Sequence, residues 1–168
     1  MFVASMNPCP CGFYGSKEKE CTCSPQAIQR YMGKISGPLL DRIDIQIEVT
    51  AVKYQKLETE EEAENSSKIK ERVNKARRIQ QERYKENGIY SNAELTPKLV
   101  SKYCKLDKEA KAILQNAFEK LGLSARAHSR ILKVARTIAD LDEEENINVN
   151  HIAEVIQYRS LDKKYWNN

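Results

Sequence analysis

The sequence predicts a mainly α protein: a C-terminal bundle of four to five helices preceded by a partial α/β segment with a Cys-rich loop. Three observations predict it. Beyond residue 65, apolar residues recur at helical spacing, and Ser, Thr, Asn or Asp stands ahead of each run. Before residue 50, two short stretches read as strands, residues 2–4 and the alternating 43–49. Between them Cys9, Cys11, Cys21 and Cys23 crowd a loop with Pro and Gly. The expected divisions are residues 1–52, an acidic linker over 53–65 and a helical domain over 66–168.

Each element has a local reason. Phe2, Val3 and Ala4 read as the end of a buried strand. Ser24 is a cap and Pro25 a favoured first helical residue, so a short helix is expected over about 25–34. Ser36-Gly-Pro38 breaks it, and Pro38 starts a further turn to Arg42. Ile43, Ile45, Ile47 and Val49 would face inward from a half-buried strand. The run from Glu58 to Glu64 is an acidic connector. Asn65, Ser66 and Ser67 offer caps to a helix with Ile69, Val73, Ala76 and Ile79 on one face, ended by Asn87-Gly88. Thr96-Pro97 starts a short helix to about Cys104. Asp107 caps a helix with Ala110, Ile113, Leu114, Ala117, Phe118 and Leu121 inward, stopped by Gly122. Ser124 caps the next, with Ile131, Leu132, Ala135, Ile138 and Ala139 inward. Asn150 is expected to cap the last, to about residue 159.

Composition bounds the function. The 168 residues suit one ordinary domain, or a small domain plus part of another. The net charge of +4 is unevenly spread. Residues 1–65 carry 7 Lys/Arg against 10 Asp/Glu, and residues 66–168 carry 21 against 14. The basic half favours phosphates, of nucleotide or nucleic acid; a solvated helical surface is the plainer reading. The helix around 68–85 holds eight Lys/Arg and two Glu, without interleaved exposed aromatics. No apolar run approaches ~18 residues, so no membrane span is expected. The first residues lack a signal peptide's basic and apolar regions, and a cytoplasmic location follows as an expectation.

In that compartment the cysteines are reduced thiols or metal ligands rather than disulfides. Two close pairs, Cys9/Cys11 and Cys21/Cys23, could close around one Zn²⁺. A thiol-bearing loop and a disulfide remain the alternatives. Cys104, alone on a helical face, reads as core. His128 and His151 lack any ligand or catalytic pattern and read as surface or capping residues.

Three longer motifs go further: Met6-Asn-Pro-Cys-Pro-Cys-Gly12, Ser36-Gly-Pro-Leu-Leu-Asp-Arg-Ile-Asp44, and Leu123-Ser-Ala-Arg-Ala-His-Ser-Arg-Ile-Leu-Lys-Val-Ala-Arg-Thr-Ile-Ala-Asp-Leu141. Together they resemble the magnesium-chelatase-related AAA+ ATPases of the ComM/YifB type, over nearly the whole chain. The resemblance implies the end of an ATPase core followed by a helical lid. It makes Asn7 the sensor-one residue beside the attacking water. It makes Arg42 an arginine finger reaching the nucleotide of a neighbouring subunit, with Asp41 orienting it or pairing at that interface. Arg126 becomes the sensor-two arginine, in the first turn of a capped helix, with Arg130 assisting four residues later. Lys133 and Arg136, farther along, would face solvent or a partner.

No G-x-x-x-x-G-K-[ST] loop occurs in the 168 residues, nor an apolar strand ending in Asp-Glu. This stretch by itself is therefore expected to be inactive. The complete protein would use ATP and Mg²⁺ in a homo-oligomeric, hexameric ring, with DNA as a plausible partner. By the same resemblance its work would be DNA remodelling, such as branch migration linked to competence. A stand-alone zinc and nucleic-acid binding module, or a helical protein-interaction domain, is the alternative.

Overall fold

A computed structural model describes residues 1–49, 52, 54 and 63–159. Its helices, in chain order, are α1 (Pro25–Met32), α2 (Gly37–Leu40), α3 (Ser66–Tyr84), α4 (Pro97–Tyr103), α5 (Lys108–Leu121), α6 (Ala125–Leu141) and α7 (Val149–Gln157), with a 3₁₀ turn at Asn92–Glu94. The protein is thus mainly α. The chain divides into two compact units, with Met1–Ile43 in one and Asp44–Arg159 in the other.

In Met1–Ile43 the cysteine loop precedes two short helices. Ser24 caps α1 by accepting from the Ala27 amide, and Pro25 and Pro38 sit in the first turns of α1 and α2. Cys9, Met32 and Leu40 are its buried apolar residues. The expected strand over residues 2–4 is absent: Phe2 and Val3 are 77% and 81% exposed. A strand needs a neighbour to satisfy its backbone, and no described segment pairs here.

The expected strand over residues 43–49 is corrected for the same reason. None of these residues lies in a ladder, and Ile45, Ile47 and Val49 are exposed. Backbone bonds tie the segment down at the Ile43 amide, to the Leu40 carbonyl at 2.9 Å, and at the Gln46 amide, to the Tyr158 carbonyl at 3.0 Å. The alternation is real, but Ile45, Ile47 and Val49 have no described strand to pack beside. Most of the acidic linker expected over 53–65 lies outside the described residues; Glu64 accepts two bonds from Arg72, at 2.9 and 3.1 Å.

The bundle in Asp44–Arg159 is built around α6. Its 3.6-residue repeat buries Ala127, Ile131, Leu132, Ala135, Ile138 and Ala139. This face packs against α7, α3, α4 and the 3₁₀ turn, and α5 packs on α7. Leu95, Val100, Ala110, Leu114, Ile147, Ile152 and Val155 complete the core. Each large aliphatic chain there contributes roughly 1.5–3 kcal/mol relative to exposure.

Start and stop signals work as expected at α3, α4, α5 and α6, where Asn65, Thr96, Asp107 and Ser124 each accept a bond from an amide three residues on. Gly122 ends α5 in the left-handed region, at φ 57°. The last helix differs. Asn148, rather than Asn150, is its cap, and Nδ1 of His151 accepts the Asn148 amide in return. Two side chains thereby satisfy three amides, which an Asn150 cap would leave open. The stripe on α3 is also shifted: Ala76, Gln80 and Tyr84 are buried, while Ile69 and Val73 are 42% and 38% exposed. The bundle covers only the C-terminal part of that stripe.

Candidate functional site

The four loop cysteines converge. Sγ of Cys9 lies 3.4 Å from Sγ of Cys11 and 3.7 Å from that of Cys21, and Cys11 and Cys21 are 3.5 Å apart. All four sulfurs lie within 4.8 Å of one another. The turn that achieves this uses Gly12 at φ 85°, whose amide bonds the Cys9 carbonyl at 3.0 Å. Backbone amides then aim at sulfur: Tyr14 donates to Cys9 at 3.3 Å and Cys11 donates to Cys23 at 3.4 Å. The Phe13 backbone, with the Thr22 backbone, holds the Cys11 thiol down at about 5 against the cost of desolvation. At Cys21 the Cys23 backbone favours the thiolate, but desolvation and the neighbouring thiols push it up to about 12. A tetrahedral Zn²⁺ with sulfur at about 2.3 Å requires S···S edges of about 3.8 Å, so this donor set fits one zinc ion. The one-residue spacers are accommodated because the ligands come from two chain segments folded onto each other.

The cationic residues are placed differently from one another. Arg42 is exposed, and its Nη1 donates to the Pro38 carbonyl at 2.9 Å across the α2 turn; Asp41 is half-buried at the end of α2. Asn7 is exposed, its amide 3.8 Å from where a side chain on Gly12 would begin. Arg126 is exposed in the first turn of α6, where no acidic residue offsets it. Arg130 forms an ion pair with Asp44, at 2.6 Å, between the two partly exposed side chains. The Asp44 of the Ser36–Asp44 motif and the helix carrying Arg126 are thus brought together.

Two cations behave unlike the sequence expectation. Lys133 donates to the Ala93 carbonyl at 2.8 Å. Arg136 is 2% exposed rather than facing solvent or a partner. It bonds the Glu144 and Glu145 carbonyls, each at 2.6 Å, and Asp140 at 3.1 Å. Desolvation pulls its basicity down while Asp140 opposes this. Fully buried Asp140 also accepts from both terminal nitrogens of Arg83 and from Asn92 at 2.8 Å. The i, i+4 spacing of Arg136 and Asp140 was the available signal. Cys104 is buried in the core as expected, and burial pushes its thiol up to about 11. His151 is the capping residue described above, with Nε2 3.2 Å from Asp142.

Comparison with known proteins agrees across both units. The family model described as magnesium chelatase, subunit ChlI C-terminal, matches residues 63–159. The one described as magnesium chelatase, subunit ChlI, matches residues 1–57. Competence protein ComM of Haemophilus influenzae is 44% identical over 95% of this chain and 30% of its own length. Uncharacterized protein YifB of Escherichia coli is 40% identical over 96% of this chain and 31% of its own. Uncharacterized protein Rv2897c of Mycobacterium tuberculosis is 30% identical over 94% and 31%. The chain therefore spans about 30% of the length of these relatives. No helix among the described residues is long and apolar enough to cross a membrane.

Proposed function

The chain belongs to the magnesium-chelatase ChlI family, and from that premise we propose that it supplies the sensing and partner-activating parts of an ATP-hydrolysing ring subunit. The division is a core segment over 1–52, a linker over 53–65 and a lid over 66–168. The observation that carries the reading is Arg126: exposed, in the first turn of a Ser124-capped helix, with no carboxylate in that turn. Helix end and guanidinium there attract the same anion.

Four residues divide the work. Arg126 binds a terminal phosphate and reports its presence to the lid. Arg130 joins it only by leaving Asp44, so phosphate and Asp44 compete for one guanidinium. Arg42 reaches across to a neighbouring subunit's nucleotide and stabilises charge developing during transfer, with Asp41 paired at that interface. Asn7, able to donate and accept, orients the attacking water. In the complete protein, ATP and Mg²⁺ would supply the scissile bond and its counter-charge. Cys9, Cys11, Cys21 and Cys23 would hold Zn²⁺ as a structural ion.

The ring is a homohexamer that remodels DNA in branch migration linked to competence. The 44% identity to a protein named for competence supports that choice of work. The cysteine cluster favours a second reading, a stand-alone zinc and nucleic-acid module, which would need no nucleotide.

Mixing two inactive full-length variants separates these. Arg42→Ala keeps ATP binding and loses turnover, by on the order of 10³–10⁵ for a full finger. Combined with a phosphate-loop Lys variant, it forms some interfaces where an intact finger faces an intact cradle. Activity returns in part. Mixed rings that form and stay inactive would remove Arg42 from the trans role.

A further inference from the structure

Helix α3 carries a cationic surface that the sensing roles leave unused. At 100° per residue, Lys70, Asn74, Arg77, Arg78, Gln81 and Lys85 fall on an arc of roughly 100°, centred about 110° around the helix from the buried Ala76, Gln80 and Tyr84. All six are exposed, along about 22 Å of helix. Four cations of this helix already have carboxylates: Arg72 pairs with Glu64, Lys75 with Glu143, Arg83 with Asp140, and Lys85, itself on the arc, with Glu82. Among the described residues, Lys70, Arg77 and Arg78 have no such partner. A folded surface ordinarily intersperses signs, and helices ordinarily offset cations with glutamates three or four residues away. Here the arc itself holds no carboxylate, and Glu82, four residues from Arg78, pairs with Lys85.

The chemistry of the arc narrows the partner. Two guanidinium groups, two ammonium groups and two carboxamides are the donors that contact phosphate oxygens without reading bases. A lipid surface is disfavoured, because an interfacial helix needs a broad apolar face beside its cations. The bundle takes most of that face, leaving only Ile69 and Val73.

We propose that this outer face of α3 docks on the phosphodiester backbone of a duplex nucleic acid, independently of its sequence. The proposal rests on the DNA-acting reading for its biological setting, and names the surface through which that substrate is held. Three phosphates neutralised by Lys70, Arg77 and Arg78 give a slope of about −3 in log affinity against log salt. Between about 50 and about 200 mM salt, that alone weakens binding on the order of 40-fold.

The test measures anisotropy of a labelled duplex DNA of mixed sequence against the 168-residue chain across that salt range. Lys70→Ala/Arg77→Ala/Arg78→Ala removes three charges from the arc. Lys98→Ala/Lys105→Ala/Lys108→Ala removes three exposed charges elsewhere in the same unit. The arc variant loses at least tenfold in affinity at low salt and about 3 from the slope, with an unchanged melting temperature; the control variant loses far less. Equal losses in both, no binding by the wild type, or displacement of DNA by polyglutamate at matched charge would each overturn the proposal. Full-length protein separates this failure from failure of the motor reading. An arc variant whose hydrolysis still responds normally to DNA overturns this surface and leaves the motor. A wild type whose hydrolysis ignores DNA, while binding remains arc-dependent, overturns the motor and leaves this surface.

Discussion

Met1–Ile43 buries three apolar side chains, Cys9, Met32 and Leu40, whereas Asp44–Arg159 buries a continuous core from Tyr84 to Val155. The first has two helices of eight and four residues; the second has helices of up to 19. A segment near ~40 residues cannot bury enough apolar area to offset its conformational entropy, and chains of that size use metals or cross-links. The sulfur cluster stands where the bundle has a core. The bundle, for its part, spends interior space on charge: Asp140, Arg136 and Arg83 occupy positions where aliphatic residues would serve stability as well. One unit is held by a few directional bonds, the other by area.

That contrast breaks most visibly on metal removal. Chelation of the reduced protein, or Cys21→Ser, should abolish amide-exchange protection over residues 9–32 and leave α5 and α6 unchanged. Apparent binding energies of structural zinc, about 10–16 kcal/mol, exceed anything else available to a unit of this size. Elemental analysis showing no metal with full protection would end the metal assignment. Protection lost equally in both units would show that they fold as one.

The bundle's own directional element comes next. Asp140→Ala leaves the buried Arg136 and the half-buried Arg83 without their carboxylate and should cost about 3–5 kcal/mol in urea unfolding. A cost below about 1 kcal/mol would mean the network is incidental and that area alone holds this unit too.

Helix caps test the finer grain. Asn148→Ala should destabilise by about 1 kcal/mol and Asn150→Ala by little, since Asn148 makes the side-chain bonds. The reverse order would restore the sequence-based boundary. The smallest effect expected is at Asp44. A double-mutant cycle with Arg130 should give below about 1 kcal/mol, because both side chains are partly exposed and water screens them. A larger coupling would turn that pair from an easily released contact into a rigid tie, against its exchange with phosphate.

Much of this was legible beforehand. Asn65, Thr96, Asp107, Ser124 and Gly122 declared their boundaries because a cap acts within four residues, and sequence displays that range directly. The cysteine pairs were legible as a candidate metal set, but not their convergence, which depends on the Gly12 turn folding two segments together. Arg136 was misread because periodicity gives a residue's face and not what lies over it; the loop carbonyls of Glu144 and Glu145 decide that it is inside.

By itself, then, the sequence determined the helices, most of their ends, the basic character of α3 and the motif residues Arg42, Asp44 and Arg126, since each follows from near neighbours along the chain. Tertiary structure decided the rest: that Ile45, Ile47 and Val49 find no described strand to pack beside, that α3 buries Tyr84 and leaves Ile69 out, and that Arg130 meets Asp44 from 86 positions away. Burial and long-range pairing are properties of what folds against a segment, and no local pattern encodes the identity of that neighbour.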